Sequence, residues 1–493
     1  SSDPFNAMAM AEQTSDVASS RQLVGEEHLC KSFPHLRGLE PLPTPWEEVV
    51  IPTLSPGLLH GALDNGLTYY ILANGEPKLR AAIHLVVGFG SLSEEEDQRG
   101  GAHIIEHLGF SASKNYENHD LVRLLESIGA SFGACQNAYT SYDRTVYHLH
   151  VATDDWSVLE KGLEVLREFA FWTRISPEDL DKERSVVLDE WRRSKTASGR
   201  LMDSYTKAIT KGSLYEVRMP IGVEEVIKTC SADRLREFYQ RYYHPQRMAL
   251  VAVGDFDSER ALATIRGLFD VPFADLGRAA VAPLRPQPEV PLHAEPRFVL
   301  SEDPELAMSV ALVENVRTRR PPMRKVADFE RAVSEQVFMK TMNNRLFKVA
   351  MRRDSVIFSA SLQQSQSCPA LEGWQVSISP ADGKIIDAMF EVLTEIERVK
   401  RFGFHEDEVR RAKLSLLSEA EEAYIERDQT DSSEHASELT LVFLEGSVSP
   451  GIEFETRMVR SIMMGGTVGT ESVAARASDF DPWGNTVYKV CAP

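Results

Sequence analysis

Apolar residues along this chain alternate between the two-residue period of strands and the three- to four-residue period of helices. A turn at Asn65-Gly66 leads into a strand through Leu72, and residues 80–88 are apolar enough for a strand buried on both faces. A hairpin is predicted over 131–151 with its turn at 136–142, and 248–254 is a further buried strand. Helices are predicted after Gly100-Gly101 and at 120–128, 156–172, 176–193 and 231–242.

A similar order of elements returns in the second half of the chain. Strands are predicted near 307–313, 356–362 and 373–379, and helices at 328–350, 384–400, 404–425 and 432–444. Each half has strands, then helices, then strands, which we interpret as a diverged internal duplication. The pattern predicts an α+β fold of two similar α/β-sandwich units, each a mixed, largely antiparallel sheet with helices packed on it.

Proline content and fading periodicity set the predicted domain boundaries. Residues 1–57 are expected to be an extended, mobile N-terminal segment, 58–270 the first domain, 271–297 a linker and 298–463 the second domain. The periodicity fades beyond Met463. Residues 464–493 are therefore predicted to be a C-terminal tail with no place in either unit.

Composition limits the classes of function. The 493 residues carry a net charge of −20, which argues against nucleic-acid binding because phosphate contacts need clustered Lys and Arg. The same charge suits basic or extended peptide ligands. No apolar run has the length of a membrane span. Five scattered cysteines favour an intracellular, organellar (mitochondrial or plastid) or cytoplasmic location over secretion, and argue against a cysteine zinc site.

The candidate chemistry is concentrated in the segment His103-Ile104-Ile105-Glu106-His107. Positions i, i+3 and i+4 share one face of a helix, so both imidazoles and the carboxylate would point into one small volume. Two imidazole ligands and a carboxylate that takes a proton from water are what a hydrolytic zinc site needs, and the spacing is that of the HxxEH motif. A helix with buried, hydrogen-bonded histidines is the alternative. The acidic run at 94–97 before it is predicted to be a solvated loop.

Further candidate ligands lie downstream of this motif. Glu183 and Glu190 are seven residues apart on the predicted helix that Ser176 caps, so both carboxylates lie on one face. A solvated acidic face is the alternative, but the apolar residues between them would bury much of this helix, and a buried carboxylate needs a partner or a metal. His148 and His150 share one face of a strand, where exposed or hydrogen-bonded histidines are the simpler interpretation.

The order of these features resembles the pitrilysin-type zinc metallopeptidases, and is closest to their PqqL-like and pitrilysin branches. The matching segments are GGA before HIIEH, NAYT at 137–140, ERSVVLDE at 183–190, RMPIG at 218–222 and YHP at 243–245. The resemblance is strong over about 58–260, weaker over 298–462 and absent beyond. It corresponds to the N-terminal half of the longer family members.

The resemblance implies a metal site with defined roles. His103 and His107 would bind Zn²⁺, and Glu106 would activate the attacking water. Glu190 would be the third ligand and Glu183 a carboxylate that orients the site. Because the spacing from His107 to Glu190 is longer than is usual in the family, Glu183 is the alternative third ligand.

The resemblance also implies a substrate site and a partner. Asn137 and Ala138 match an edge strand on which a substrate peptide is laid by β-addition. Longer family members close two bowl-shaped halves on the peptide, so this chain is expected to be a truncated form, a homodimer or one that works with a separate second half. The implied function is a zinc-dependent endopeptidase acting on peptides or small unfolded polypeptides. The alternatives are a non-catalytic or partner-dependent subunit of such an assembly and a plain peptide-binding module.

Overall fold

Two β-sheets with helices on their faces form the framework of the chain in a computed structural model, which describes residues 33–117, 119–131, 133–278 and 287–493. The first sheet contains β1 (Leu59–Ala62), β2 (Thr68–Ala73), β3 (Arg80–Val87), β4 (Gln136–Thr140), β5 (Thr145–Ala152) and β6 (Met248–Gly254). The second sheet contains β7 (Arg297–Glu302), β8 (Val310–Thr318), β9 (Ile357–Cys368), β10 (Leu371–Pro380) and β11 (Thr486–Ala492). The predicted α+β class is confirmed.

One α-helix precedes the first strand, and the others lie in the segments between strands. In chain order they are α1 (Pro34–Gly38), α2 (Gly101–Ser111), α3 (Asp120–Ser127), α4 (Trp156–Phe171), α5 (Pro177–Arg193), α6 (Ala197–Ile209), α7 (Leu214–Val217), α8 (Glu224–Thr229), α9 (Ala232–Tyr242), α10 (Ser258–Phe269), α11 (Val326–Ala350), α12 (Ile385–Phe402), α13 (Glu406–Ile425), α14 (Ser432–Glu445), α15 (Ile452–Met464) and α16 (Thr470–Ala475). Ser176 caps α5, as expected, and Ser231 caps α9; each side-chain oxygen accepts a backbone N–H bond from the first turn of its helix.

The two sheets share one strand order and one pattern of pairing. The first runs β1-β2-β6-β3-β5-β4 and the second β7-β11-β8-β10-β9. In each, the last strand of the unit pairs in parallel with an early one, β6 with β2 and β11 with β7, and the other pairs are antiparallel. Only β1 has no counterpart among the described strands. This common topology supports the internal duplication.

Strand β11 corrects the prediction for residues 464–493. It lies between β7 and β8 and is the counterpart of the buried strand β6, so this segment is part of the second unit. The apolar pattern fails there because Lys489 interrupts it. That side chain is buried, and its ammonium lies 5.0 Å from the ring centroid of Tyr205 on α6. A cation–π partner from the other half of the chain leaves no trace in local periodicity.

The described part of the N-terminal segment is also more ordered than predicted. Leu36, Leu42, Trp46 and Ile51 are buried in the core of the second unit. The segment 33–57 is therefore packed structure, whereas the prediction for 1–32 lies outside the described residues. Within the predicted linker, residues 279–286 lie outside the description as well.

The two units each place one helix on the other's sheet. Helix α6, from the first half, packs on β7 and β11, and Tyr205 and Ile209 join the core there. Helix α14, from the second half, packs on β3 and β6 with Ala436 and Leu439 buried. Each sheet is thus covered by its own helices on one face and by a helix of the other unit on the opposite face. The two units therefore depend on each other for part of their cores.

Strand β4 forms the edge of the first sheet, next to β5. The pattern-based turn at 136–142 is therefore wrong, and the chain instead turns at 141–144. The strand Gln-Asn-Ala-Tyr-Thr lacks the apolar alternation of a half-buried strand because its side chains after Gln136 are exposed or only partly buried. Asn137 and Ala138 lie in this edge strand, which is the position that the family resemblance implied.

Candidate active site

The helix that carries HIIEH begins at a tightly packed glycine pair. Gly100 has a φ of 99°, a conformation that favours glycine, and a Cβ there would lie 3.0 Å from the Cα of Gly222. The loop at 218–222 therefore packs directly against the start of α2. Pro220 and Ile221 of this loop line the cleft in which the candidate residues lie.

Glu94 caps the N-terminus of α2. Its two carboxylate oxygens accept backbone N–H bonds from Gly100 at 3.0 Å and Ala102 at 2.9 Å. The side chain is fully buried, so the prediction of a solvated loop is wrong for this residue. Burial raises the pKa of Glu94 to about 8, with the two backbone hydrogen bonds opposing the shift. The carboxyl group thus fixes the helix that carries the histidines.

Replacing Glu94 with Gln is expected to destabilise the fold by about 1–2 kcal/mol. Both oxygens of a carboxyl group can accept, whereas the amide would present its NH₂ to one of the two backbone donors. Urea unfolding of the two proteins measures the difference. The control is Glu160→Gln, an exposed carboxyl on α4, which should change stability by less than about 0.5 kcal/mol. Equal effects in the two variants would contradict the capping role.

His103, His107 and Glu190 converge where α2 faces α5. His103 Nε2 lies 3.5 Å from Glu190 Oε1, and His107 Nε2 lies 3.1 Å from Glu190 Oε2. The ligand atoms of the three side chains all lie within 4.8 Å of one another, and no other group of the described residues meets this condition. A tetrahedral ion with bonds of about 2.0–2.1 Å separates its ligand atoms by about 3.3 Å. The spacing and the donor set both fit Zn²⁺.

Glu183 lies behind His107, on the side of the ring away from Glu190. Its Oε2 is 3.6 Å from His107 Nδ1. That oxygen is buried and has no hydrogen-bond partner among the described residues. Glu183 therefore faces Nδ1 of the His107 ring, and Glu190 faces Nε2.

The protonation states reflect this arrangement. Burial lowers the pKa of His103. Burial also acts to lower the pKa of His107, but the adjacent carboxylates of Glu183 and Glu190 outweigh it and raise the value to about 10. The hydrogen bond from His107 lowers the pKa of Glu190. Two carboxylates that face one imidazole favour a positive charge at this position, which a bound cation would also supply.

Glu106 lies in the same cleft and is held by the edge strand. The hydroxyl of Thr140 donates a hydrogen bond of 2.6 Å to Glu106 Oε2. Burial raises the pKa of Glu106 to about 7, against the effect of this hydrogen bond. A carboxyl group with a pKa near neutrality can accept and release a proton at physiological pH. Sequence reasoning included Thr140 in a family segment but missed its contact with Glu106.

The cleft is bounded on one side by the edge strand. Asn137, Ala138, Tyr139 and Thr140 of β4 all line it. The backbone N–H of Ala138 donates to the side-chain oxygen of Asn137 at 2.9 Å. The volume is about 920 Å³, enough for a short peptide segment. Its apolar lining includes Phe110, Val122, Val186, Pro220 and Ile221.

Comparison with known proteins gives two family matches. The family described as Insulinase (Peptidase family M16) matches residues 69–214, and the Peptidase M16 inactive domain matches residues 229–416. The three residues of the His-His-Glu cluster all lie within the first match and outside the match to the inactive domain. No helix in the described ranges has both the length and the apolar character needed to cross a membrane.

Individual relatives extend this result. The chain is 38% identical over 407 residues to a zinc protease PQQL-like of Arabidopsis thaliana, covering 83% of this chain and 39% of the relative. It is 36% identical over 220 residues to the chloroplastic stromal processing peptidase of Oryza sativa subsp. japonica, covering 44% of this chain and 17% of the relative.

A solved structure shows the same fold. The first half of the periplasmic protease PqqL from Escherichia coli superposes with a TM-score of 0.82 at 24% identity, covering 90% of this chain and 93% of that half. The match covers 48% of the chain in the longer PqqL structure. This chain thus spans about two fifths of the length of its Arabidopsis relative.

Proposed function

Because this chain belongs to the M16 family of pitrilysin-type peptidases, in its PqqL-like branch, we propose that it is a zinc-dependent endopeptidase for peptides or small unfolded polypeptides. The observation that carries the proposal is the convergence of the His103, His107 and Glu190 donor atoms within 4.8 Å. Glu106 lies between the two histidines on α2 and is positioned by Thr140. This arrangement has the parts of a hydrolytic metal site.

The geometry supports the following roles for these residues. Zn²⁺ held by His103, His107 and Glu190 would supply the Lewis acid that acidifies water and polarises a peptide carbonyl. Glu106 would accept the proton of the attacking water and donate it to the leaving amine nitrogen. Glu183 would orient the His107 ring through Nδ1, as a carboxylate beside a metal-binding imidazole does.

Metal analysis of the isolated chain tests the ligand assignment. The wild type is expected to hold one Zn²⁺ per chain more than H103A/H107A. Glu190→Gln should weaken zinc binding more than Glu183→Gln, for which a loss of about 10–100-fold is typical of an outer partner. The reverse order would transfer the third-ligand role to Glu183. Unchanged zinc content in H103A/H107A would reject the site.

Strand β4 is proposed to bind the substrate backbone. The N–H of Ala138 bonds to the neighbouring Asn137 side chain and not to β5. It can therefore donate to an added strand once the Asn137 side chain turns away. The peptide would extend the first sheet at its free edge and pass in front of Glu106.

Ala138→Pro is expected to weaken peptide binding while the fold and the zinc content are retained. Proline removes the backbone donor but is tolerated in an edge strand, because no ladder bond to β5 depends on that N–H. One lost backbone hydrogen bond should raise KM or Kd by about 5–10-fold. Fluorescence anisotropy with a labelled peptide measures it. Ala138→Ser keeps the N–H and serves as the matched control. Equal affinities in the two variants would remove Ala138 from the substrate site.

A partner-dependent form of this function is the second candidate. The observation that favours it is that the chain superposes on 93% of one half of PqqL but on 48% of the longer chain. Peptide turnover measured together with mass by light scattering separates the two forms. Turnover that follows the dimer fraction, or that needs an added second half, supports the partner-dependent form, and turnover by the monomer rejects it. The chloroplastic name of the rice relative supports an organellar location.

A further inference from the structure

Three histidines form a second cluster on the outer face of the first sheet. His84 on β3 lies directly opposite His148 on β5, and His150 follows two residues later on the same face. The ring centroids of His84 and His148 are 5.7 Å apart, and those of His148 and His150 are 6.4 Å apart. Their neighbours on β5 at 147 and 149 point into the core on the side of α2. The cluster is therefore separated from the candidate active site by the thickness of the sheet.

We propose that His84, His148 and His150 form a second binding site for a divalent transition metal ion of the class that prefers imidazole, such as Zn²⁺ or Cu²⁺. Two imidazoles that share one zinc ion at about 2.0–2.1 Å have ring centroids about 5 Å apart. The two centroid separations in this cluster are longer than that value, but rotation about the side-chain torsions can close the difference. For comparison, the candidate catalytic pair His103 and His107 has a centroid separation of 4.8 Å.

The hydrogen bond of His84 fixes which of its nitrogens can bind a metal. The Thr440 hydroxyl on α14 donates its proton to the backbone oxygen of Ala436 at 2.8 Å. Its oxygen can therefore only accept at the 3.1 Å contact with His84 Nδ1, so that nitrogen carries the proton. Nε2 then keeps its lone pair. An imidazole whose second nitrogen donates to a fixed oxygen is the usual form of a metal-binding histidine.

The charge state of the cluster also suits a metal. Burial lowers the pKa of His84 to about 3, and the nearby His148 and His150 add to the shift. Burial lowers the pKa of His148 and of His150 as well. All three rings are therefore neutral at physiological pH, and no proton must be displaced before a metal binds.

The metal would bind by a small rearrangement of the two outer rings. Within the described ranges, only the candidate catalytic group already holds its donor atoms within 4.8 Å of one another. His84 is buried and fixed by Thr440, whereas His148 and His150 are only partly buried and can turn toward it. His84 would therefore provide the fixed ligand, and the other two would close on the ion from the solvent side.

Metal binding here would also stabilise the contact between the two units. Thr440 belongs to α14, the helix that the second half of the chain places on the first sheet. A metal that immobilises His84 strengthens the anchor of that helix. An ion that binds only the folded state stabilises it by RT ln(1 + c/Kd) at a free ion concentration c, so the unfolding temperature rises with the ion concentration.

The test uses the full chain with the candidate catalytic site removed. In H103A/H107A, titration with Co²⁺ is expected to give one bound ion per chain with the visible absorption of a tetrahedral imidazole site, and Zn²⁺ is expected to displace it. Adding H148Q/H150Q to that background should abolish both the Co²⁺ absorption and the rise in melting temperature caused by Zn²⁺. The single variant H148Q, which changes one partly exposed ring, should weaken binding without affecting the metal-free melting temperature.

A matched control separates this site from nonspecific surface binding. H35Q/H60Q in the same H103A/H107A background removes two exposed histidines elsewhere and should leave Co²⁺ binding unchanged. The proposal is overturned if H103A/H107A binds no Co²⁺, or if its bound Co²⁺ survives H148Q/H150Q. Both outcomes are independent of the peptide-turnover measurements that test the proposed peptidase, because those are made with His103 and His107 in place.

Discussion

Glu106→Gln is expected to abolish most peptide hydrolysis while the zinc content and the fold stay as in the wild type. The amide has nearly the same shape, and its oxygen can still accept the hydrogen bond from Thr140. It cannot accept a proton from the attacking water. General acid–base groups typically contribute 10²–10⁴-fold, so kcat should fall by about that factor with KM little changed. Cleavage of a quenched peptide library and metal analysis of the same samples measure the two effects.

Glu126→Gln is the matched control for this prediction. Glu126 is an exposed carboxyl that lines the same cleft from α3, and it contacts none of the proposed ligands. Turnover in that variant should remain within about 3-fold of the wild type. If Glu106→Gln keeps wild-type turnover, Glu106 is not the proton acceptor. If it loses zinc, Glu106 takes part in holding the metal.

The central part of this site could be predicted from sequence because its members are local. His103, Glu106 and His107 occupy one helix turn, and the i, i+3, i+4 rule brings them together whatever the rest of the chain does. Glu183 and Glu190 likewise share one face of α5. What the sequence did not contain is the packing of α5 against α2, so the choice between the two carboxylates rested on family resemblance.

The supporting residues were missed because their partners are distant or lie in the backbone. Glu94 belongs to a run of acids and looks solvated, yet it turns inward to bond two N–H groups of α2. Thr140 meets Glu106 across 34 positions of sequence. His84 pairs with Thr440, which is 356 positions away. Periodicity reports which face is apolar and carries no information about such partners.

The fold was predicted best for the elements whose apolar positions form a clear pattern. The buried strands β3 and β6 and the long helices matched the predicted segments closely, because their apolar positions alone define them. Periodicity did not predict the edge strands β4 and β7 or the strand β11, because each carries polar residues satisfied by tertiary contacts. The sequence also did not show that α6 and α14 each pack on the sheet of the other unit, because the apolar face of an amphipathic helix has the same pattern whichever sheet it covers.

Removing residues 486–493 is expected to unfold the second unit. Strand β11 pairs with both β7 and β8, so its loss leaves two unpaired edges inside one sheet. Val487, Tyr488 and Cys491 would no longer bury their side chains, at about 1.5–3 kcal/mol for each large apolar one. Together with the lost ladder bonds, this approaches the whole stability of a typical domain, about 5–15 kcal/mol. Removing only Pro493, which lies beyond the strand, is the matched control and should have no measurable effect.

The same truncation should also weaken the candidate metal site, although that site lies in the first unit. Helix α6 loses the surface of β7 and β11 on which Tyr205 and Ile209 pack, and α14 loses the folded unit that positions it on β3 and β6. If the helix exchange couples the two units, circular dichroism of the truncated chain will show loss of structure well beyond one strand, and zinc content will fall with it. Limited proteolysis provides the opposing outcome. A protected fragment over 58–270 that still binds zinc would mean that the first unit folds without α14, and that the exchanged helices contribute packing without coupling.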